Sequence, residues 1–323
     1  MAPRPRVVVT RRLPAPVEQR AASLFDARLN ADDAPMSATA LADAMCEADA
    51  LLPTVTDRIT SGLFAIPNRH VRIVANFGVG YNNIDVVAAR EHGVAVTNTP
   101  DVLTDDTADL AITLLLMVAR RTGEGERHVR AGEWTGWRPT HMLGARVSGK
   151  TLGLIGLGRI GRAVARRASQ GFGMRVLFHD PYAGDDVAAA VHAERRDSIE
   201  RVLEESDFVS LHCPATPETR HLMDAGRLAR MKRTAFLINT ARGDVVDEDA
   251  LTQALCTGAL AGAGLDVYER EPSVTPALVA LENVVLLPHL GSATEETRIA
   301  MGNRALDNLV AFFEGRAPHD RVA

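Results

Sequence analysis

The chain has few cysteines, no long hydrophobic run and no surplus of positive charge, and each absence removes a class of protein. Its three cysteines are Cys46, Cys213 and Cys256. The number is odd, no CxxC pair occurs and no apolar secretory leader precedes Val7-Val8-Val9, so a reducing cytoplasm is the expected setting. The longest apolar stretch, Leu110 to Ala119, is far shorter than the ~18 residues that indicate a membrane span, and it reads as a buried helix. A formal net charge of -5, with only short basic clusters at Arg11-Arg12, Arg120-Arg121 and Arg166-Arg167, argues against a nucleic-acid or membrane-surface partner. No HExxH, paired CxxC or tight Asp/His cluster calls for a metal, and no G-x-S-x-G elbow marks a serine hydrolase. Low-complexity tracts and short repeats are also missing.

At 323 residues, 46% apolar and 24% charged, the chain is too long for one ordinary core and is expected to form two domains. Strand patterns at Arg6–Thr10, Ala50–Val55, Val71–Phe77 and Gly93–Asn98 alternate with helical ones at Val17–Phe25, Ala38–Ala48, Asp57–Ala65 and Ile84–His92, the last closed by Gly93. Residues 101–134 read as one long helical segment. A second series follows, with strands at Thr151–Ile155, Arg175–His179, Phe208–His212, Thr234–Asn239, Gly264–Val267 and Val284–Leu287. Ser292-Ala293-Thr294-Glu295 then reads as a capping box opening a terminal helix. Such βα alternation predicts an α/β protein of two doubly wound parallel sheets.

Gly156-Leu157-Gly158-Arg159-Ile160-Gly161 is a dinucleotide fingerprint in its proper setting, after one short apolar strand and before a helix, with the next strand closing the βαβ unit within about thirty residues. Gly156 permits the turn, Gly158 lets backbone approach a pyrophosphate and Gly161 lets helix and strand pack, leaving the helix N-terminus on the phosphates. Asp180 lies 19 residues after Gly161, where a carboxylate would bind the ribose 2′-hydroxyl and repel a 2′-phosphate. NAD is therefore expected over NADP.

Three chemistry-bearing residues follow later strands, whose carboxyl ends gather at one sheet edge. Arg242 has a planar fork able to hold a carboxylate bidentately and polarise an adjacent ketone, and Gly243 beside it allows close approach. His289 follows a strand and precedes a turn; an imidazole can give a carbonyl oxygen its proton as hydride arrives. A carboxylate partner would fix that ring, and Glu271 and Glu269 are both near enough to serve. His212 competes as a strand-end histidine but reads as part of a cofactor-side loop, Leu211-His212-Cys213-Pro214.

These residues, with Asn76-Phe77-Gly78-Val79-Gly80-Tyr81-Asn82-Asn83-Ile84-Asp85, Thr97-Asn98-Thr99-Pro100-Asp101-Val102-Leu103-Thr104, Glu271-Pro272 and Pro288-His289, resemble the D-isomer-specific 2-hydroxyacid dehydrogenase family over essentially the whole chain. Within it the chain is most similar to the glyoxylate/hydroxypyruvate reductases, through Thr97–Asp109 and Gly132–Trp137. The resemblance implies a catalytic Arg242, Glu271 and His289, and so favours Glu271 over Glu269. It also implies substrate binding by Leu52, Val79, Gly80 and Arg242. The cofactor would meet Thr104, Gly156, Gly158, Arg159, Ile160, Gly161, Asp180, His212, Pro214, Thr240, Arg242, Asp266, His289 and Gly291. The implied architecture is a Rossmann NAD-binding domain of residues 102–287, bearing a dimerisation arm, inserted in a flavodoxin-like substrate domain of residues 1–101 and 288–323, with a hinge at the two crossings. A homodimer is implied as well.

The expected reaction is hydride transfer between NADH and a small 2-oxo acid, glyoxylate or hydroxypyruvate, giving the D-2-hydroxy acid. Alternatives are another D-2-hydroxyacid dehydrogenase, such as one acting on D-3-phosphoglycerate, or an NAD-sensing, corepressor-like binding protein. Two departures from relatives matter: Asn82 stands where many have Asp, and Asp180 stands where several NADPH-using reductases carry Arg or Ser.

Overall fold

A computed structural model describes residues 3–323. The chain forms two compact units, one running to Leu103 and resuming at Ser292, the other Thr104–Gly291.

The first unit carries β1 (Arg6–Val9), β2 (Asp26–Arg28), β3 (Ala50–Leu52), β4 (Ile73–Ala75) and β5 (Ala95–Thr97). They pair in parallel in the order β2-β1-β3-β4-β5. This is the flavodoxin-like doubly wound order. Val7, Val8, Val9, Leu51, Leu52, Ile73 and Val74 are almost wholly buried, because helices on both faces of a parallel sheet call for near-continuous apolar strands. Ser37 and Asp85 cap two of those helices, accepting from Ala40 N at 3.1 Å and Ala88 N at 2.9 Å, which satisfies donors the helices cannot pair internally.

The second unit carries β6 (Thr151–Ile155), β7 (Arg175–His179), β8 (Ala193–Arg195), β9 (Phe208–Leu211), β10 (Phe236–Asn239), β11 (Gly262–Leu265) and β12 (Val284–Leu286). Their order is β12-β11-β10-β9-β6-β7-β8, all parallel. This is the dinucleotide-binding order with a seventh strand added. Leu114, Leu152, Leu154, Val176, Phe178 and Phe208 fill one side of the sheet, and Leu203, Leu211, Leu237 and Leu251 the other.

Four details depart from the sequence expectation. β2 and β8 carry no strand signal; both are three-residue edge strands, Asp-Ala-Arg and Ala-Glu-Arg, whose charged exposed side chains suit an edge and hide it from pattern reading. The single helix expected over 101–134 is two, Thr104–Ala119 and Thr122–Arg130, broken where Arg121 adopts φ +53°. The terminal helix Glu295–Phe313 is capped by Thr294, which accepts from Thr297 N, rather than by Ser292. The crossing expected before Pro288 falls after Gly291, because Asp266 accepts hydrogen bonds from Leu290 N and Gly291 N, and Thr107 Oγ1 donates to Gly291 O. No helix among the described residues is long and apolar enough to cross a membrane.

Candidate active site

The strand order of the seven-stranded sheet reverses between β6 and β9, and ligands of such sheets bind outside the carboxyl ends there. The fingerprint turn leaves β6 at that point. Gly156 has φ +97°, and a Cβ on it would fall 2.8 Å from the His212 backbone. On Gly161 a Cβ would sit 2.4 Å from Gly156 O, whereas one on Gly158 would meet nothing within 4 Å. Two glycines thus allow close packing, and the third faces open space just before the helix Arg159–Arg166. An open glycine at a helix N-terminus suits a dinucleotide pyrophosphate, which needs close backbone approach and a positive dipole end.

Asp180, at the end of β7, accepts from Leu157 N at 2.7 Å with one oxygen and from Tyr182 N at 2.8 Å and Ala183 N at 3.2 Å with the other. Its carboxylate therefore lies against the fingerprint turn. The edge strand β8 adds a residue that sequence reading missed: Arg195 donates to Asp180 O at 2.8 Å, pairs with Asp185 at 3.1 Å and lies over the Phe178 ring. His212 is half-buried, its Nε2 2.9 Å from Ser210 Oγ, and burial holds its pKa down at about 4, so it is neutral near pH 7. Burial likewise pushes the Cys213 thiol up to about 11. Pro214 O accepts from Thr219 Oγ1 at 2.6 Å. Thr104 begins the helix Thr104–Ala119, and Thr240 is buried with a hydroxyl that has no partner among the described residues.

Arg242, Glu271 and His289 follow the adjacent strands β10, β11 and β12. His289 Nδ1 and Glu271 Oε2 are 2.8 Å apart. The second oxygen of Glu271 accepts from Tyr268 N at 3.1 Å. Burial opposes ionisation of Glu271, yet the His289 hydrogen bond and charge, the Tyr268 amide and Arg242 outweigh it and hold the pKa below the ordinary glutamate value. Arg242 is drawn towards a lower pKa by burial, with Glu271 and Asp244 opposing, and its Nη1 donates to Ala241 O at 2.7 Å. Glu269, the other candidate partner of His289, is engaged elsewhere, with His221 Nε2 at 3.0 Å.

Two of the supporting residues, Tyr268 and Glu248, are ones that sequence reading did not single out. A Cβ on Gly243 would lie 1.9 Å from the Tyr268 carbonyl carbon, so the Arg242 turn rests directly on the backbone that leads to Glu271. Tyr268 donates its hydroxyl to Leu287 O at 2.9 Å, joining that backbone to the strand before His289. Glu248 accepts from Glu269 N at 3.1 Å and Thr275 N at 3.2 Å, spanning the Glu271 loop. Asp266 is almost fully buried and accepts from Leu290 N at 2.6 Å and Gly291 N at 2.8 Å. His289, with φ +56°, is held in a left-handed conformation unusual for a non-glycine residue. Asp266 and Gly291, expected beside a cofactor, also fix the turn that carries His289.

In the first unit, Leu52 ends β3 and is fully buried. Val79 and Gly80 lie in the loop after β4, and their amides have no partner among the described residues. No group of three or more potential metal ligands occurs among the described residues.

Comparison with known proteins gives a consistent family. The profile described as D-isomer specific 2-hydroxyacid dehydrogenase, NAD binding domain, matches residues 112–291. A glyoxylate reductase of Korarchaeum cryptofilum is 48% identical, covering 99% of this chain and 96% of that protein. Among solved structures, a glyoxylate reductase from Paecilomyes thermophila superposes with a TM-score of 0.87 at 32% identity, covering 100% of this chain and 99% of the other. An NADPH-dependent glyoxylate/hydroxypyruvate reductase from Sinorhizobium meliloti, in complex with NADP and malonate, gives 0.86 at 38% identity, with 99% and 97% covered.

The Gly243 contact makes a direct prediction. Gly243→Ala must push the Arg242 turn off the Tyr268–Glu269 backbone, an overpacking that costs about 1–3 kcal/mol or more. A denaturant unfolding midpoint equal to that of the unsubstituted protein would show that the two loops do not touch.

Proposed function

The chain belongs to the D-isomer specific 2-hydroxyacid dehydrogenase family, an oxidoreductase acting on CH–OH groups, and on that premise we propose that it reduces glyoxylate or hydroxypyruvate with NADH to the D-2-hydroxy acid. The observation that carries this reading is the 2.8 Å Glu271–His289 bond in the unit that also holds Arg242 and the dinucleotide fingerprint. The glyoxylate reductase of K. cryptofilum, similar over almost its whole length, supports the substrate class.

Bound nicotinamide dinucleotide would supply the hydride to the substrate's carbonyl carbon. Arg242 would hold the substrate through its fork and lean positive charge on the carbonyl oxygen. With Nδ1–H donated to Glu271, His289 would present Nε2 to that oxygen and deliver the proton there, taking it back in the reverse direction. The ionised Glu271 would orient the ring and stabilise its protonated form. The amides of Val79 and Gly80 would receive the substrate carboxylate, with the buried Leu52 supporting that region of the sheet edge rather than offering an exposed contact. Thr104, Pro214, Thr240 and the neutral His212 are assigned to the cofactor's surroundings.

NADH is preferred over NADPH in this proposal because Asp180 puts a carboxylate against the fingerprint turn, while Arg195 is already engaged by Asp185 and backbone carbonyls. The S. meliloti neighbour with NADP is the counter-case. A homodimer is proposed through residues 122–146, where Trp134, Trp137 and Leu143 are 55%, 82% and 67% exposed, an unusual concentration of apolar surface. The three free thiols fit a reducing cytoplasm.

Steady-state rates with a panel of 2-oxo acids should be highest for glyoxylate or hydroxypyruvate, and negligible rates with all of them would refute the enzyme reading. His289→Gln should cut turnover by about 10²–10⁴-fold with NADH affinity kept. Glu271→Gln removes the carboxylate that holds the His289 ring, so kcat for reduction should fall by about ten-fold or more with NADH affinity kept; an unchanged kcat would separate Glu271 from proton delivery. The cofactor assignment fails if kcat/KM is higher with NADPH than with NADH, and the dimer fails if light scattering gives the mass of one chain.

A further inference from the structure

The loop Gly78-Val79-Gly80 has all three of its carbonyls tied by donors. Gly78 O accepts from Thr99 N at 3.0 Å and Asn76 Nδ2 at 3.3 Å. Val79 O accepts from Asn98 Nδ2 at 2.8 Å. Gly80 O accepts from Asn76 Nδ2 at 3.0 Å. Asn76 is fully buried and Asn98 is 8% exposed. Each partner is a carbonyl, which can only accept, so the amide nitrogens of both asparagines are fixed as donors.

A planar trans peptide points its N–H opposite to its C=O, and the only cis bond among the described residues is Glu271-Pro272. Tying Gly78 O to Asn76 and Thr99 therefore turns the Val79 N–H away from them. Tying Val79 O to Asn98 turns the Gly80 N–H away, and tying Gly80 O to Asn76 does the same for the Tyr81 N–H. None of these three amides has a partner among the described residues. Successive backbone N–H groups directed to one side form an anion receptor. Asn76 is itself braced, since Asn83 Nδ2 donates to its Oδ1 at 3.3 Å, and to Thr54 O and Asp57 O. Asn308 Nδ2 reaches Asn98 O at 3.4 Å.

We propose that Asn98 and Asn76 are positioning residues of a carboxylate receptor, holding the carbonyls of Gly78, Val79 and Gly80 so that the amides of Val79, Gly80 and Tyr81 face a substrate carboxylate. The inference rests on the reading above that Val79 and Gly80 receive that carboxylate. Neutral amides suit the task, because an aspartate at either position would repel the anion.

The test uses the full chain saturated with NADH and oxamate as a carboxylate probe that is not reduced. Asn98→Asp turns a donor on Val79 O into an acceptor, so the peptide should rotate and take the Gly80 N–H with it. Ki for oxamate and KM for the 2-oxo acid should each rise about ten-fold or more, with kcat and NADH affinity within about two-fold. Unchanged Ki and KM in the folded variant, or a fall confined to kcat, would overturn the proposal. If Asn98→Asp does not fold, Asn98→Ser, too short to reach Val79 O, is judged by the same readings. Val-Gly occurs once in the chain, at Val79-Gly80, so carbon-13 at valine carbonyls with nitrogen-15 at glycine amides isolates the Gly80 amide in an NMR spectrum. If that resonance ignores oxamate in the unsubstituted protein, the carboxylate reading itself fails, and the positioning role with it. If it moves while Asn98→Asp binds oxamate normally, only the positioning role fails.

Discussion

The hydrogen bond between Glu271 Oε2 and His289 Nδ1 is the interaction on which the site depends. It joins residues that follow adjacent strands, β11 and β12, and neither side chain alone would hold the other at 2.8 Å. The backbone does that work. His289 is kept at φ +56° by Asp266, whose carbonyl accepts its N–H and whose carboxylate accepts the next two amides. Glu271 is kept by Tyr268 N on one side, and by Glu248 spanning its loop from Glu269 to Thr275. A left-handed histidine costs of order 1–3 kcal/mol, and such strain persists only where neighbouring bonds over-determine it, as they do here.

Three glycines around this chemistry serve by different means. Gly243 is small so that backbone can rest on backbone; Gly156 is both small and left-handed, turning beneath His212; Gly158 is small on its open side, where a ligand rather than protein would fill the space. The fingerprint is thus one open glycine between two packing ones. Gly243, outside any motif of that kind, is packed more tightly than either.

Much of this was legible in the sequence because the signals were local. Apolar runs of four or five residues marked the central strands, the glycine spacing marked the βαβ turn, and strand-end positions marked Arg242 and His289. The illegible parts were those where meaning lies across the fold. β2 and β8 are charged three-residue edges, so Arg195 went unnoticed until β8 brought it beside Asp180. Residue spacing left Glu269 and Glu271 equivalent; the family resemblance favoured Glu271, and the geometry gives Glu269 to His221 and Glu271 to His289. The family resemblance gave Asp266 a place beside the cofactor, but no local pattern shows that its two oxygens also hold the amides of Leu290 and Gly291. Nothing in the pattern around Glu248 or Tyr268 announces what they hold.

The two units use one device with opposite polarity. In the second unit a buried carboxylate, Asp266, gathers backbone N–H groups beneath His289. Burial holds its pKa above the ordinary aspartate value, against the pull of the Leu290 and Gly291 amides and of His289. In the first unit buried primary amides gather backbone carbonyls beneath the Val79–Tyr81 amides, and they bring no charge. A neutral donor beneath the amides proposed to receive a carboxylate leaves their field intact. Exchanging the two devices would set a carboxylate against the carbonyls of Gly78, Val79 and Gly80, to which it cannot donate, and would leave one of the Leu290 and Gly291 amides facing an NH2 group, so Asn suits positions 76 and 98 and Asp suits position 266.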